Sequence, residues 1–156
     1  MEQFGGHKYA AGLTMKKENF DAFCNAFEKQ VAATITEEQL TPKITIDTEL
    51  ELANVTTSFY NVMSQMQPFG PKNMQPTFVS KGVVDSGYSK IVGEKHLKLS
   101  ITQNSSQNID GIAFGMGDLH EKIKTKEPFD ICYTIEENEW NGRVSLQLKI
   151  KDIRFN

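Results

Sequence analysis

The first residues able to do chemistry stand near the start of the chain, in the stretch FGGHKYAAGLT at residues 4–14. Gly5 and Gly6 would let the backbone approach a phosphate group and direct N–H donors to it, because no Cβ lies in the way. His7 can add a hydrogen bond or a positive charge to the same phosphate. A glycine turn with an incidental surface histidine is the alternative interpretation.

A second group of residues suited to binding phosphates lies in the middle of the chain. The net charge of the whole chain is −3, yet residues 72–98 carry five lysines and only two acidic residues. The candidates for contact with a nucleic acid are Lys81, Tyr88, Lys90, Lys95, His96 and Lys98. The lysines would bind backbone phosphates, while Tyr88, His96 and the later Trp140 would stack on bases. A solvated, lysine-rich sheet face is the alternative.

The N-terminal part of the chain has the periodicity of helices. An apolar stripe at helical spacing, with Asn19 as N-cap, predicts an amphipathic helix of about four turns that needs a partner surface. The stripe consists of Phe20, Phe23, Cys24, Phe27 and Val31. Thr36 and Gln39 form the pattern of a capping box, which predicts a short helix before Pro42. Residues 36–43 are interpreted as a connector.

The remainder of the chain alternates as β-strands do. The pattern of residues 44–52 predicts a strand. A second amphipathic helix, with Asn54 or Thr56 as its cap, is predicted next, and it ends at the Pro- and Gly-rich loop QPFGPKNMQP. Further predicted strands are TFVSKGVVD, YSKIVG, HLKLSIT, NIDGIAF, FDICYTIEE and VSLQLKIKDIRF, with a short helix in MGDLHEKIKTKEP.

The order of these later elements predicts a small closed barrel. Four β-segments, of which the first two can be one bent strand, then a helix and two more strands match the five-stranded OB-fold. Gly82 and Gly87 lie where the long first strand has to bend. The predicted fold class is mainly β with flanking helices, an OB-like barrel preceded by a helical segment. An SH3-like barrel and a β-sandwich share the pattern.

Several motifs together resemble one known family. Gly5, Gly6, His7 and the later AAG resemble the GGH motif of the domain that accompanies DHH-type phosphoesterases. MQPFGPKNMQPTF, VGEKHLKLSI and IDGIAFGM follow in the order found in the C-terminal half of RecJ, the single-strand-specific DNA exonuclease family. The resemblance divides the chain into residues 1–35 from the DHH-associated domain, the connector and an OB domain over residues 44–156.

The resemblance implies a function in DNA repair and recombination. The family hydrolyses single-stranded DNA from 5′ to 3′, with Mn²⁺ or Mg²⁺ held by a DHH domain that would belong to the same parent chain. Gly5, Gly6 and His7 would hold the substrate phosphate, and the barrel would guide single-stranded DNA toward the metals. A single-strand-binding protein is a further implied partner. The alternative is a scaffold barrel that docks on the catalytic core or on another protein.

The residues themselves set limits on what this chain does alone. Its three histidines do not lie at metal-ligand spacing, and no DxD, DHH or HxD cluster occurs, so we expect a catalytically inert fragment without a metal of its own. Two distant cysteines, Cys24 and Cys132, are typical of buried thiols in a cytoplasmic protein. No apolar run approaches the length of a membrane span.

Overall fold

The computed structural model describes residues 2–155 of the chain. The chain divides into two compact units, Met1–Ile44 and Thr45–Asn156. Across the described part of the chain, no helix combines the length and the apolar character needed to cross a membrane.

The first unit contains a β-hairpin and two helices. Its elements are β1 (Gln3–His7), β2 (Ala10–Thr14), α1 (Phe20–Thr34) and α2 (Glu37–Leu40). The predicted capping box is confirmed: the Gln39 N–H donates to the Thr36 hydroxyl, and the Thr36 N–H donates to Gln39 Oε1 at 2.9 Å. Asn19 occupies the N-cap of α1, but its side chain makes no capping hydrogen bond.

The second unit contains seven strands and two α-helices. They are β3 (Thr48–Glu49), α3 (Thr57–Ser64), β4 (Phe78–Asp85), β5 (Lys90–Val92), β6 (His96–Thr102), β7 (Ile109–Ala113), α4 (His120–Ile123), β8 (Phe129–Trp140) and β9 (Arg143–Phe155). Thr56 caps α3 by accepting a hydrogen bond from the Phe59 N–H. The strand predicted over 44–52 is only β3, because Leu52 turns inward and is buried in a 3₁₀ turn.

The strands of the second unit form one closed sheet. Their order is β3-β4-β8-β9-β7-β6-β5, and additional pairing of β4 with β6 closes the barrel. Both β4 and β5 pair antiparallel with β6, so they are the two halves of one bent strand. With β7 parallel to β9 and α4 between β7 and β8, the topology is that of the predicted OB-fold, to which β3 adds an edge.

The bend between β4 and β5 is held by a buried carboxylate. Asp85, only 5% exposed, accepts hydrogen bonds from the Gly87 N–H at 3.0 Å and the Ser89 hydroxyl at 2.5 Å. The Ser89 hydroxyl in turn accepts from the Ser100 N–H on β6. Gly87 has φ +93°, which favours glycine, and Gly82 (φ +64°) lies in a register shift between β4 and β8.

The hydrophobic core lies inside the barrel. Leu97, Leu99 and Ile101 of β6 are completely buried, as the alternation of HLKLSIT predicts. Only part of the apolar pattern around α3 reaches the core, since Met63 is buried while Val62 and Met66 are exposed. The cysteine prediction is half right, because Cys132 is buried and Cys24 is exposed.

Candidate nucleic-acid interface

Strand register places three lysines in one row on the outer surface of the barrel. Lys90 on β5 lies opposite Lys98 on β6, Lys98 lies opposite Ile112 on β7, and Ile112 is the partner of Lys149 on β9. Leu97 and Leu148, which precede Lys98 and Lys149, face the core, and Lys90 is the direct pairing partner of Lys98, so the three lysines share the outer face. Lys90, Lys98, Ile112 and Lys149 are called the lysine row below.

The lysine row carries more positive charge than its acidic neighbours balance. Lys98 Nζ lies 3.1 Å from Asp110 Oδ2, and Lys149 Nζ lies 3.2 Å from Glu136 Oε1. Among residues 2–155, Lys90 forms no ion pair. Lys98 and Lys149 are thus balanced by carboxylates, and Lys90 is the member of the row whose charge no described carboxylate balances.

An aromatic pair borders the lysine row. His96 precedes Lys98 by two positions and shares its face of β6, and its ring meets Phe114 edge-on with 5.1 Å between centroids. The Gly115 N–H donates to His96 Nδ1 at 3.0 Å, which leaves the proton of a neutral ring on Nε2. Phe114 is 56% exposed, so a base can stack on it. Phe114 and Lys149 are not among the candidates predicted from the sequence; the signal for Phe114 is its position two residues after Ile112, on the same face of the strand.

The other candidates of the central segment lie outside the lysine row. Lys95 is in the β5–β6 turn, where its carbonyl accepts from the Gly117 N–H at 2.9 Å. Tyr88 is exposed in the bend just before Lys90. No strand pairing of the described residues connects Lys81 to the lysine row. Its hydrogen bond to Glu49, assisted by the charge of that carboxylate, raises the pKa of Lys81.

Trp140 lies at the tip of the β8–β9 hairpin. It is 73% exposed and pairs with Arg143 across the Asn141–Gly142 turn. Arg143 and Lys149 are six positions apart, so both project from the same face of β9, about 20 Å apart. A further aromatic side chain and a fourth cation thus share the outer face with the lysine row.

The GGH motif is part of a hairpin strand and not of a loop, which corrects the sequence interpretation. Gly5 pairs with Gly12, Gly6 with Ala11 and His7 with Ala10. The small residues on both strands allow this close pairing, since a Cβ on Gly6 would lie 2.7 Å from the Ala10 carbonyl oxygen. His7 is exposed, and its Nδ1 accepts a hydrogen bond from the Tyr9 N–H at 3.2 Å.

The residues present do not fit a catalytic metal ion. Within residues 2–155, no three His, Cys, Asp or Glu side chains lie close enough together to hold one.

The barrel topology defines the class of the second unit as an OB-fold. The family model described as "RecJ OB domain" matches residues 46–152. The chain belongs to this RecJ OB domain family, which confirms the resemblance and the fold class.

Curated relatives and solved structures that are similar to this chain carry the name RecJ. The single-stranded-DNA-specific exonuclease RecJ of Bacillus subtilis is 33% identical over 153 residues, and that of Escherichia coli is 28% identical over 154. Their alignments cover 97% and 98% of this chain but only 19% and 26% of those proteins. The chain thus spans about a fifth to a quarter of the relatives' length.

Two crystal structures of RecJ from Thermus thermophilus share the fold. The complex with Mg²⁺ has a TM-score of 0.74, and the complex with Mn²⁺ has a TM-score of 0.75, each at 22% identity. Each match covers 99% of this chain, and 23% and 22% of the respective RecJ chains.

Proposed function

We propose that the barrel binds single-stranded DNA on its outer face and guides it toward a metal-dependent phosphoesterase domain of a longer RecJ chain. The observation that carries the proposal is the strand register that places Lys90, which has no ion-pair partner among residues 2–155, directly opposite Lys98, because neighbouring cations attract a phosphate. Phe114 and His96 beside the pair supply surfaces for stacking.

The same proposal gives roles to the remaining candidates. Lys95 and Tyr88 would contact the strand next to the lysine row, and Lys81 would do so after release from Glu49. In the first unit, Gly5, Gly6 and His7 would hold the substrate phosphate as the remnant of a DHH-associated domain over residues 1–35. Mn²⁺ or Mg²⁺ would be held by the DHH domain, and the whole protein would act in the cytoplasm as a single-strand exonuclease.

Fluorescence anisotropy of a labelled single strand of about 20 nucleotides tests the proposal, since an OB fold contacts between roughly 4 and 16 nucleotides. We expect saturable binding that weakens with salt, and a salt slope that falls by about 0.7 for each phosphate contact removed in Lys90→Ala or Lys98→Ala. Lys124→Ala is the matched control, because Lys124 is an exposed lysine outside the row. Equal binding by all three variants would overturn the proposal.

A docking role for the first unit is the second candidate. Phe20 and Phe27 on α1 are 56% and 58% exposed, and residues 2–44 contain no buried side chain. An amphipathic helix of this kind is stabilised mainly by packing its apolar face. We infer that this face packs on the catalytic core of a longer chain. If the single strand fails to bind even at low salt, this candidate becomes the leading one.

A further inference from the structure

A cleft of about 470 Å³ opens beside the lysine row. It lies where β7 and β9 separate: the two strands pair from Asp110 and Gln147 onward, and before that point Ile109 and Leu146 line the gap. Residues 55–57, at the start of α3, also line the cleft. The volume is in the range of small-molecule sites.

The chemistry of the lining suits a neutral, planar group with polar edges. Val55, Ile109 and Leu146 provide apolar surface, and Gln107, Asn108 and Ser145 provide polar groups. The side chains of these last three form no hydrogen bond with any other residue in the range 2–155. An amide offers both a donor and an acceptor, which is what the edge of a nucleobase requires.

The charges near the cleft exclude a phosphate from it. Asp110 is the only charged residue in the lining, and no lysine or arginine among the described residues contributes. The same carboxylate is bound to Lys98 of the lysine row. A DNA single strand whose phosphates lie on the lysine row therefore has one base within reach of the cleft. The lining of the cleft favours that base over a phosphate.

We propose that this cleft receives one unstacked base of the single strand held by the lysine row. The inference rests on the proposed function and adds a base-binding subsite to it. The base would lie on Ile109 and Leu146, with its polar edge facing Gln107 and Asn108. Such a contact makes affinity depend on bases as well as on phosphates.

Two probes of equal length separate base contacts from phosphate contacts. One is an oligothymidine of roughly 12 nucleotides, within the span of an OB fold, and the other is the same backbone built of abasic residues. We expect the double substitution Gln107→Ala/Asn108→Ala to weaken oligothymidine binding about fivefold or more, as loss of hydrogen bonds implies, and to leave abasic binding unchanged. Asn61→Ala, an exposed amide on α3 outside the cleft, should change neither.

The outcomes distinguish failure of the subsite from failure of the proposed function. If Lys90→Ala weakens both probes while the cleft variant behaves like Asn61→Ala, only the subsite is overturned. Equal losses on both probes by the cleft variant would also overturn it, since they indicate a change in the barrel. If the unaltered chain binds neither probe at low salt, the proposed function and the subsite fall together.

Discussion

The Tyr133 side chain shows how a single polar atom is accommodated in the barrel core. Tyr133 is completely buried, and its hydroxyl lies 2.9 Å from Ser80 Oγ, which donates to the Leu50 carbonyl at 2.5 Å. The Ser80 hydroxyl therefore accepts a hydrogen bond from the Tyr133 hydroxyl. Burial raises the pKa of Tyr133 to about 12.

The shifted pKa of Tyr133 predicts a loss of stability in alkali. An unfolded tyrosine titrates near pH 10, so between pH 10 and about 12 the unfolded state releases its proton first and is favoured. Because of Tyr133, we expect the free energy of unfolding to fall by about 1.4 kcal/mol between pH 8 and pH 11, about half of the full loss of about 3 kcal/mol that is reached at still higher pH. Urea unfolding at pH 8, 10 and 11 measures it.

The matched comparison is Tyr133→Phe, which removes the titrating group and one hydrogen bond. At pH 8 this variant should be less stable by about 1 kcal/mol. Above pH 10 the difference from the unaltered chain should shrink and then reverse. A difference that stays constant with pH would contradict the assignment, because lysine titration is common to both proteins.

Among the elements, the bent first strand of the barrel decides where the candidate interface lies. Asp85, Gly87 and Ser89 turn the chain so that β4 pairs with one end of β6 and β5 pairs with the other. Without the bend, Lys90 would not lie opposite Lys98. The buried network at the bend is thus a structural condition for the lysine row.

Asp85→Ala tests this dependence. The substitution leaves the Gly87 N–H and the Ser89 hydroxyl without their acceptor, and we expect the free energy of unfolding to fall by about 2–4 kcal/mol. Asp118→Ala, at an exposed carboxylate, should change it by less than about 0.5 kcal/mol. Urea unfolding followed by circular dichroism compares the two, and equal stabilities would show that the carboxylate does not hold the bend.

In the whole molecule, folding stability is concentrated in one unit. All buried hydrophobic residues of the described chain lie between Leu52 and Ile153, and the 2–44 segment contains none. Burial of apolar surface is the dominant favourable term in folding. The barrel therefore has what it needs to fold without residues 1–44.

Removing residues 1–44 should leave the unfolding transition of the barrel unchanged within about 0.5 kcal/mol, the usual effect of changes away from a core. Far-ultraviolet circular dichroism during urea unfolding measures the midpoint. The binding of single-stranded DNA should also persist in the shortened chain. A barrel that unfolds or aggregates after the deletion would contradict the prediction.

Local patterns in the sequence predicted much of the fold. The alternation along HLKLSIT correctly separates buried Leu97 and Leu99 from outward Lys98, and the capping box of α2 is confirmed at Thr36. Such features depend on neighbours within a few positions. The strand predicted over 44–52 was wrong in length, because alternation does not state how much of an extended segment finds a pairing partner.

The sequence by itself determined the family, the order of the strands and the residue types available to bind a phosphate. Only the tertiary structure decided which of those residues meet. The register of four strands brings Lys149 into line with Lys98 and Lys90, while Lys81, just as suitable by type, lies instead beside Glu49. The physical reason is that neighbours across a sheet are set by hydrogen-bond register between distant segments, which no spacing within one segment encodes.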